Sequence, residues 1–299
     1  MESQSFKSLS IDEFNELAIR PDFAERIKKE HEQLVAIKLP GTIDNFLRPE
    51  NSSKNRSEST PCWDQSRVIL KPLKKGIPYD SDTASTYIHA NFVDGFEDPM
   101  KFIYSQSPIG NTCEGFWRMV AQENSLIIVS LTKVDNADEY CYEYWANEKG
   151  RDKVFGSYVI KTLEIIKEET FTRTRLLLED ADNDISREIH HFWYTNWPRH
   201  HGWPIKSLEL FNLIFQVNQK REELIQTSDF RPGPIVVHCS GGMNWAGIFC
   251  AIDIELYRVQ KKQTVWLSQT VLNIRKQRHS SFFCSVDYEI CYRVLYELI

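Results

Sequence analysis

Basic charge is in short supply in this sequence. Its 36 Lys and Arg face 42 Asp and Glu, a formal net charge of −6. That balance argues against a general nucleic-acid binder, which would carry a basic patch or stripe, while leaving room for a local basic pocket. Long apolar runs are lacking too, and none approaches the length of a membrane span. Met1-Glu2-Ser3-Gln4-Ser5 has neither the basic nor the apolar region of a signal peptide. With Glu second in place of Gly, the start also fails the myristoylation pattern. The seven cysteines are odd in number and include no C-x-x-C pair, so neither a disulfide framework nor a zinc site is indicated. No internal repeat occurs. The expectation is a soluble cytoplasmic protein with no metal, no cofactor and no membrane span.

What is present fits a packed globular protein. The chain has 299 residues, 41% hydrophobic and 26% charged, enough for one large domain or two small ones. Its centre of interest begins with the apolar run Pro234-Ile235-Val236-Val237, followed by His238-Cys239. A small-residue segment, Ser240-Gly241-Gly242-Met243-Asn244, leads into a stretch where Ile248, Phe249, Ile252 and Leu256 share a helical face. The pattern predicts buried strand, tight loop, helix. Such a loop presents backbone N–H groups to an anion, and the helix N-terminus adds partial positive charge. The same field would favour a nucleophilic thiolate at Cys239. The plainer alternative is an inert cysteine ending a core strand.

Elsewhere the chain alternates helices and strands. Ser10-Ile11-Asp12-Glu13 is a capping box that predicts a helix to about Arg20. Asp22-Phe23-Ala24-Glu25 repeats the pattern before a helix to about Ile37, with Phe23, Ile27 and Leu34 apolar. Residues 41–66, broken by Pro49 and Pro61, read as an extended loop. Residues 125–131 read as a buried central strand, and 158–166, 170–179 and 188–197 alternate like antiparallel strands. A helix over 207–226 would bury Leu208, Phe211, Ile214 and Phe215. Another helix spans 264–278, and Ser285 caps a last one carrying Val286, Ile290 and Val294.

Val237-His238-Cys239-Ser240-Gly241-Gly242 resembles the signature loop of the protein tyrosine phosphatases. In that family an Arg follows five residues after the Cys, and then Ser or Thr. Here Trp245 and Ala246 hold those places. The Arg fork would bind two phosphate oxygens, whereas Trp offers one neutral donor. Ala246 lacks the hydroxyl that the family uses near the departing sulfur. Lys54-Asn55-Arg56-Ser57 is similar to the phosphotyrosine-recognition loop, with Ser57 where a Tyr stacks on the substrate ring, and Asp64-Gln65-Ser66-Arg67-Val68 follows at the family's spacing. Tyr87-Ile88-His89-Ala90-Asn91 looks like the Tyr-Ile-Asn-Ala segment, and Phe116-Trp117-Arg118-Met119 like a family helix motif. Trp197-Pro198-Arg199-His200 resembles the mobile Trp-Pro-Asp loop, whose Asp protonates the leaving oxygen. Arg199 stands in its place, and because the segment is one residue longer, His200 is the alternative acid. Phe283 occupies the position of the Gln that guides the attacking water.

The likeness runs from about Phe23 to Leu298. It implies an α/β fold, a twisted mixed β-sheet flanked by helices on both sides, with an N-terminal extension over 1–22 and one tyrosine phosphatase-like domain over 23–299. The chain is most similar to the degenerate tyrosine phosphatase-like proteins of parasitoid-wasp bracoviruses. That implies action in the host-cell cytoplasm and interference with immune-cell signalling or adhesion. Three readings follow. The first is an inactive protein that binds a signalling protein, the second a phosphotyrosine-protein trap without turnover. The third is a weak phosphatase using Cys239 with an altered acid.

Overall fold

A strand that is buried at every position has no face to offer water, and the 235–239 strand lies inside a sheet covered on both sides. The protein's computed structural model describes residues 6–72, 83–132, 141–183, 185–196 and 206–299. In chain order its helices and strands are β1 (Leu9–Ser10), α1 (Ile11–Ala18), α2 (Phe23–Val35), α3 (Asp44–Leu47), α4 (Pro49–Ser52), β2 (Arg67–Ile69), α5 (Thr83–Thr86), β3 (Tyr87–Gly95), β4 (Asp98–Gln106), α6 (Cys113–Gln122) and β5 (Ile127–Ser130). They continue with β6 (Asp152–Phe155), β7 (Tyr158–Lys167), β8 (Thr172–Asp180), β9 (Ile185–Trp193), α7 (Ser207–Thr227), β10 (Ile235–Cys239), α8 (Trp245–Lys262), β11 (Thr264–Val265), α9 (Leu267–Gln277) and α10 (Ser285–Leu298).

Nine strands form one mixed sheet in the order β2-β3-β4-β10-β5-β9-β8-β7-β6, and β1 pairs with β11 apart from it. β10 lies parallel to both β4 and β5, and β5 is parallel to β9. The outer pairs are antiparallel. Along β10 the side chains alternate between two cores. Ile235, Val237 and Cys239 join the cluster built with α1, α2 and α7 to α10, and Val236 joins the cluster around Phe116 and Trp117 of α6. The expected α/β architecture is therefore present, with helices on both faces.

Several local expectations change. The Ser10 capping box forms as read, with Glu13 N–H donating to Ser10 Oγ and Ser10 N–H to the Glu13 carboxylate. Asp22 does not cap α2. Arg20 and Arg26 hold its carboxylate instead, because charged donors outcompete a neutral amide. The loop over 41–66 folds into the single turns α3 and α4, and Pro49 opens α4, where a missing N–H is harmless. Ser285 is the first helical residue of α10 and makes no cap; Cys284 precedes it in extended conformation. Within the stretch read as an N-terminal extension, Phe14 is fully buried and stacks on Tyr292 of α10. On α7 the expected face is rotated. Leu210, Leu213, Ile214 and Val217 are buried, while Leu208, Phe211 and Phe215 point to solvent. The helix is apolar on two sides, and spacing alone could not choose between them.

One buried ion pair fixes α8 to the sheet. Lys101 Nζ of β4 lies 2.6 Å from Asp253 Oδ2, both side chains almost fully buried, and Asn218 Nδ2 donates to the other carboxylate oxygen at 2.6 Å. Lys101→Met would strand a carboxylate in the core. The expected loss is about 3–5 kcal/mol of stability, read from urea denaturation; a loss below about 1 kcal/mol would show that the pair is dispensable.

Candidate functional site

β10 ends at Cys239 and α8 begins at Trp245, so residues 240–244 must turn the chain sharply. Gly242 makes the turn at φ +64, where a Cβ would sit 2.6 Å from Ser105 O and 2.7 Å from Gln106 N. No side chain fits there. The loop's carbonyls are taken by neighbouring donors. Ser107 N–H donates to Cys239 O and Ser240 O, at 3.0 and 3.1 Å, and its hydroxyl donates to Ser240 O at 3.2 Å. Arg278 Nε donates to Gly242 O at 3.0 Å. The N–H groups of Ser240, Gly241, Met243 and Asn244 donate to no protein acceptor among the described residues. The result is a nest of amide donors at a helix N-terminus with Cys239, 3% exposed, at its edge.

Beneath the nest lies a buried cation. Arg278 is fully buried. Its Nη1 donates to Asn91 Oδ1 at 2.8 Å and its Nη2 to His89 Nδ1 at 2.9 Å. Because His89 Nδ1 accepts, the ring proton sits on Nε2, which donates to Thr60 O at 2.8 Å. Burial, aided by the guanidinium, pushes the His89 pKa down to about 3. The Tyr104 ring lies 5.3 Å from the guanidinium carbon, and no carboxylate pairs with it among the described residues. Its charge therefore adds to the field of α8 at the loop.

A neutral network precedes the cysteine. The Tyr144 hydroxyl lies 2.7 Å from Nε2 of both His191 and His238. With one proton to give, it donates to one ring and accepts from the other. Burial lowers the His191 pKa to about 3 and that of His238 well below its ordinary value, so both rings are neutral at pH 7.

These features, an amide nest after a central parallel strand and a cysteine at its mouth, agree with the family comparison. A family model described as protein-tyrosine phosphatase matches residues 51–297. The chain belongs to the protein-tyrosine phosphatase family. Tyrosine phosphatase-like protein H1 of Microplitis demolitor bracovirus is 69% identical over the whole chain and 88% of its own length. Tyrosine phosphatase H3 of the same virus is 48% identical over the whole chain and 97% of its own length. Human tyrosine-protein phosphatase non-receptor type 9 is 30% identical over 91% of this chain, which spans 46% of that protein.

Within this phosphatase frame, the 54–60 segment meets the end of β4 and the 240–244 loop. Arg56 N–H donates to Gln106 Oε1 at 3.0 Å, and Arg56 Nε to Ser107 O at 3.0 Å. Thr60 Oγ1 donates to Met243 Sδ at 3.4 Å. Ser57 is half-buried and shares a 2.8 Å hydrogen bond with Ser59. Trp245 is half-buried against the main core, and Ala246 is fully buried. Phe283 is 79% exposed, next to the buried Phe282, whose backbone is left-handed at φ +55 and whose carbonyl lies 2.7 Å from His31 Nε2. Arg199 and His200, with the rest of the Trp197-Pro198 segment, lie outside the described residues.

Sequence reasoning missed Arg278, Ser107 and Gln106. Arg278 follows Arg275 and Lys276 at the end of α9, where a basic turn reads as an ordinary solvated C-terminus. The partners of Arg278, His89 and Asn91, lie in the Tyr87–Asn91 segment, far from it in sequence. Among the described residues no group of three or more His, Cys, Asp or Glu is placed to hold a metal ion, and no helix is long and apolar enough to cross a membrane.

Proposed function

We propose that this phosphatase-family protein acts by binding and no longer turns over phosphotyrosine, its partner being a signalling protein in the host-cell cytoplasm. Trp245 carries the reading. The side chain at the phosphate-clamping position is a half-buried indole leaning on the core, with one neutral donor in place of a charged fork. Ala246, Ser57 and Phe283 remove further working groups at the hydroxyl, ring-stacking and water-guiding positions. The test is hydrolysis of phosphotyrosine peptides at high enzyme concentration by wild type and Cys239→Ser. The expected result is no difference between them. Turnover by wild type that Cys239→Ser abolishes would establish a weak phosphatase instead.

The free amide donors of the loop and the cation beneath it favour a second reading, a trap that holds phosphotyrosine proteins without hydrolysis. Titration with paired phosphorylated and unphosphorylated peptides separates the two. Equal affinities exclude the trap, and a clear preference for the phosphorylated peptide supports it.

A further inference from the structure

The outward face of α7 carries an apolar stripe that the fold does not use. Leu208, Phe211 and Phe215 are 73%, 38% and 47% exposed, and the Phe211 and Phe215 rings stack with centroids 6.1 Å apart. Beside them, α7 and α8 enclose a groove of about 660 Å³ whose apolar lining is Phe211, Ile214, Phe215, Leu256 and Tyr257. Among the described residues every charged side chain lining it is acidic. Lys101 neutralises Asp253 from below, and Lys220 pairs with Glu223 at 2.5 Å. Glu222 has no ion-pair partner among the described residues. Burial, then Asp253 and Glu222, raises the Tyr257 pKa to about 12.

We propose that the α7–α8 groove docks a basic amphipathic helix of a partner protein, with apolar side chains one turn apart against Phe211, Phe215 and Leu256, and Lys or Arg against Glu222. Charge selects this occupant over the alternatives. A symmetric second copy would set the unpaired Glu222 of one groove against an identical groove lined by no basic side chain among the described residues. An anionic lipid surface would be repelled by the same carboxylate. An extended strand would find no unpaired backbone, because both walls are helices. A docked helix needs none, and its residues four apart advance about 6 Å, close to the spacing of the two phenylalanines. The groove lies about 15 Å along α8 from the phosphate loop. It is a separate surface, and the proposal stands whether or not the loop turns over phosphate.

The probe is a labelled peptide of about 15 residues, Ala-rich, with Leu at i, i+4 and i+7 and Lys on the flanks. Its control carries Glu for every Lys. Fluorescence anisotropy against wild type, Phe215→Ser and Glu222→Lys decides, and both substitutions are at exposed positions. The expected result is saturable binding of the Lys peptide by wild type. That binding should weaken with added salt and fall at least about tenfold in Phe215→Ser. Glu222→Lys should shift preference towards the Glu peptide. The proposal is overturned if neither peptide binds wild type, if both bind equally, or if Phe215→Ser leaves binding unchanged. Self-association of wild type in sedimentation, lost in Phe215→Ser, would overturn it in favour of a second copy.

Discussion

In a Cys239→Ser background, Trp245→Arg is expected to tighten binding of a phosphotyrosine peptide by about a hundredfold to ten-thousandfold. The nest is already formed. Gly242 sets its turn, Ser107 and Arg278 hold its carbonyls, and four amide groups have no acceptor among the described residues. What is absent is a charged fork over the phosphate. Two charge-assisted hydrogen bonds, each about 1.5–3 kcal/mol, supply about 3–6 kcal/mol, and each 1.4 kcal/mol is a factor of ten in affinity. Losing the indole's contacts with the core acts on stability instead, so a denaturation midpoint should accompany the titration. Calorimetry with phosphorylated and unphosphorylated peptides reads the effect. A gain below about threefold, in a variant that remains folded, would mean that the loop is no longer shaped to receive an anion.

Acid should unfold this protein early. Burial lowers the pKa of His89 and His191 to about 3, and of His190 to about 4. The unfolded chain, with histidine near 6.5, therefore binds protons that the folded state refuses. Stability from these rings is complete above about pH 6.5 and is lost as pH falls towards the folded values. Each group contributes a slope of about 1.4 kcal/mol per pH unit within that window. His89 and His191 alone thus remove about 3 kcal/mol between pH 6.5 and 5, a large share of ordinary domain stability. Urea denaturation at pH 7 and pH 5 measures it. His89→Gln should flatten the slope, and a wild-type midpoint that stays constant over this range would show that the buried rings accept protons without unfolding.

The frame of the site could be read from the sequence because it rests on strong local signals. Four apolar residues before Cys239 and small residues after it admit little besides strand, nest and helix, and β10 and α8 fall close to the expected places. Local signals failed where competing contacts decide. Asp22 has a capping pattern, yet two arginines claim its carboxylate. α7 is apolar on two sides, and only packing against α8 and α10 determines which side is buried. Arg278 was invisible for a related reason. An arginine ending a basic turn looks solvated until the topology sets Asn91 of β3 and Gly242 of the loop beside it. The strand partners of β10 were likewise beyond reach of periodicity, because register across a parallel sheet is a property of distant segments.

That register has a consequence for how the protein is made. β10 is an interior strand of the sheet, yet both its neighbours, β4 and β5, belong to the first half of the chain. Until the last third has emerged from the ribosome, β4 and β5 each present an edge with no partner, and the two can come together only around a strand not yet synthesised. Distant parallel pairing of this kind is slow, and open edges of this kind recruit other chains. Insertion of β10 joins the two half-sheets and places the 240–244 loop at their junction, and the loop is completed only when Arg278, 36 residues after Gly242, arrives to hold the Gly242 carbonyl.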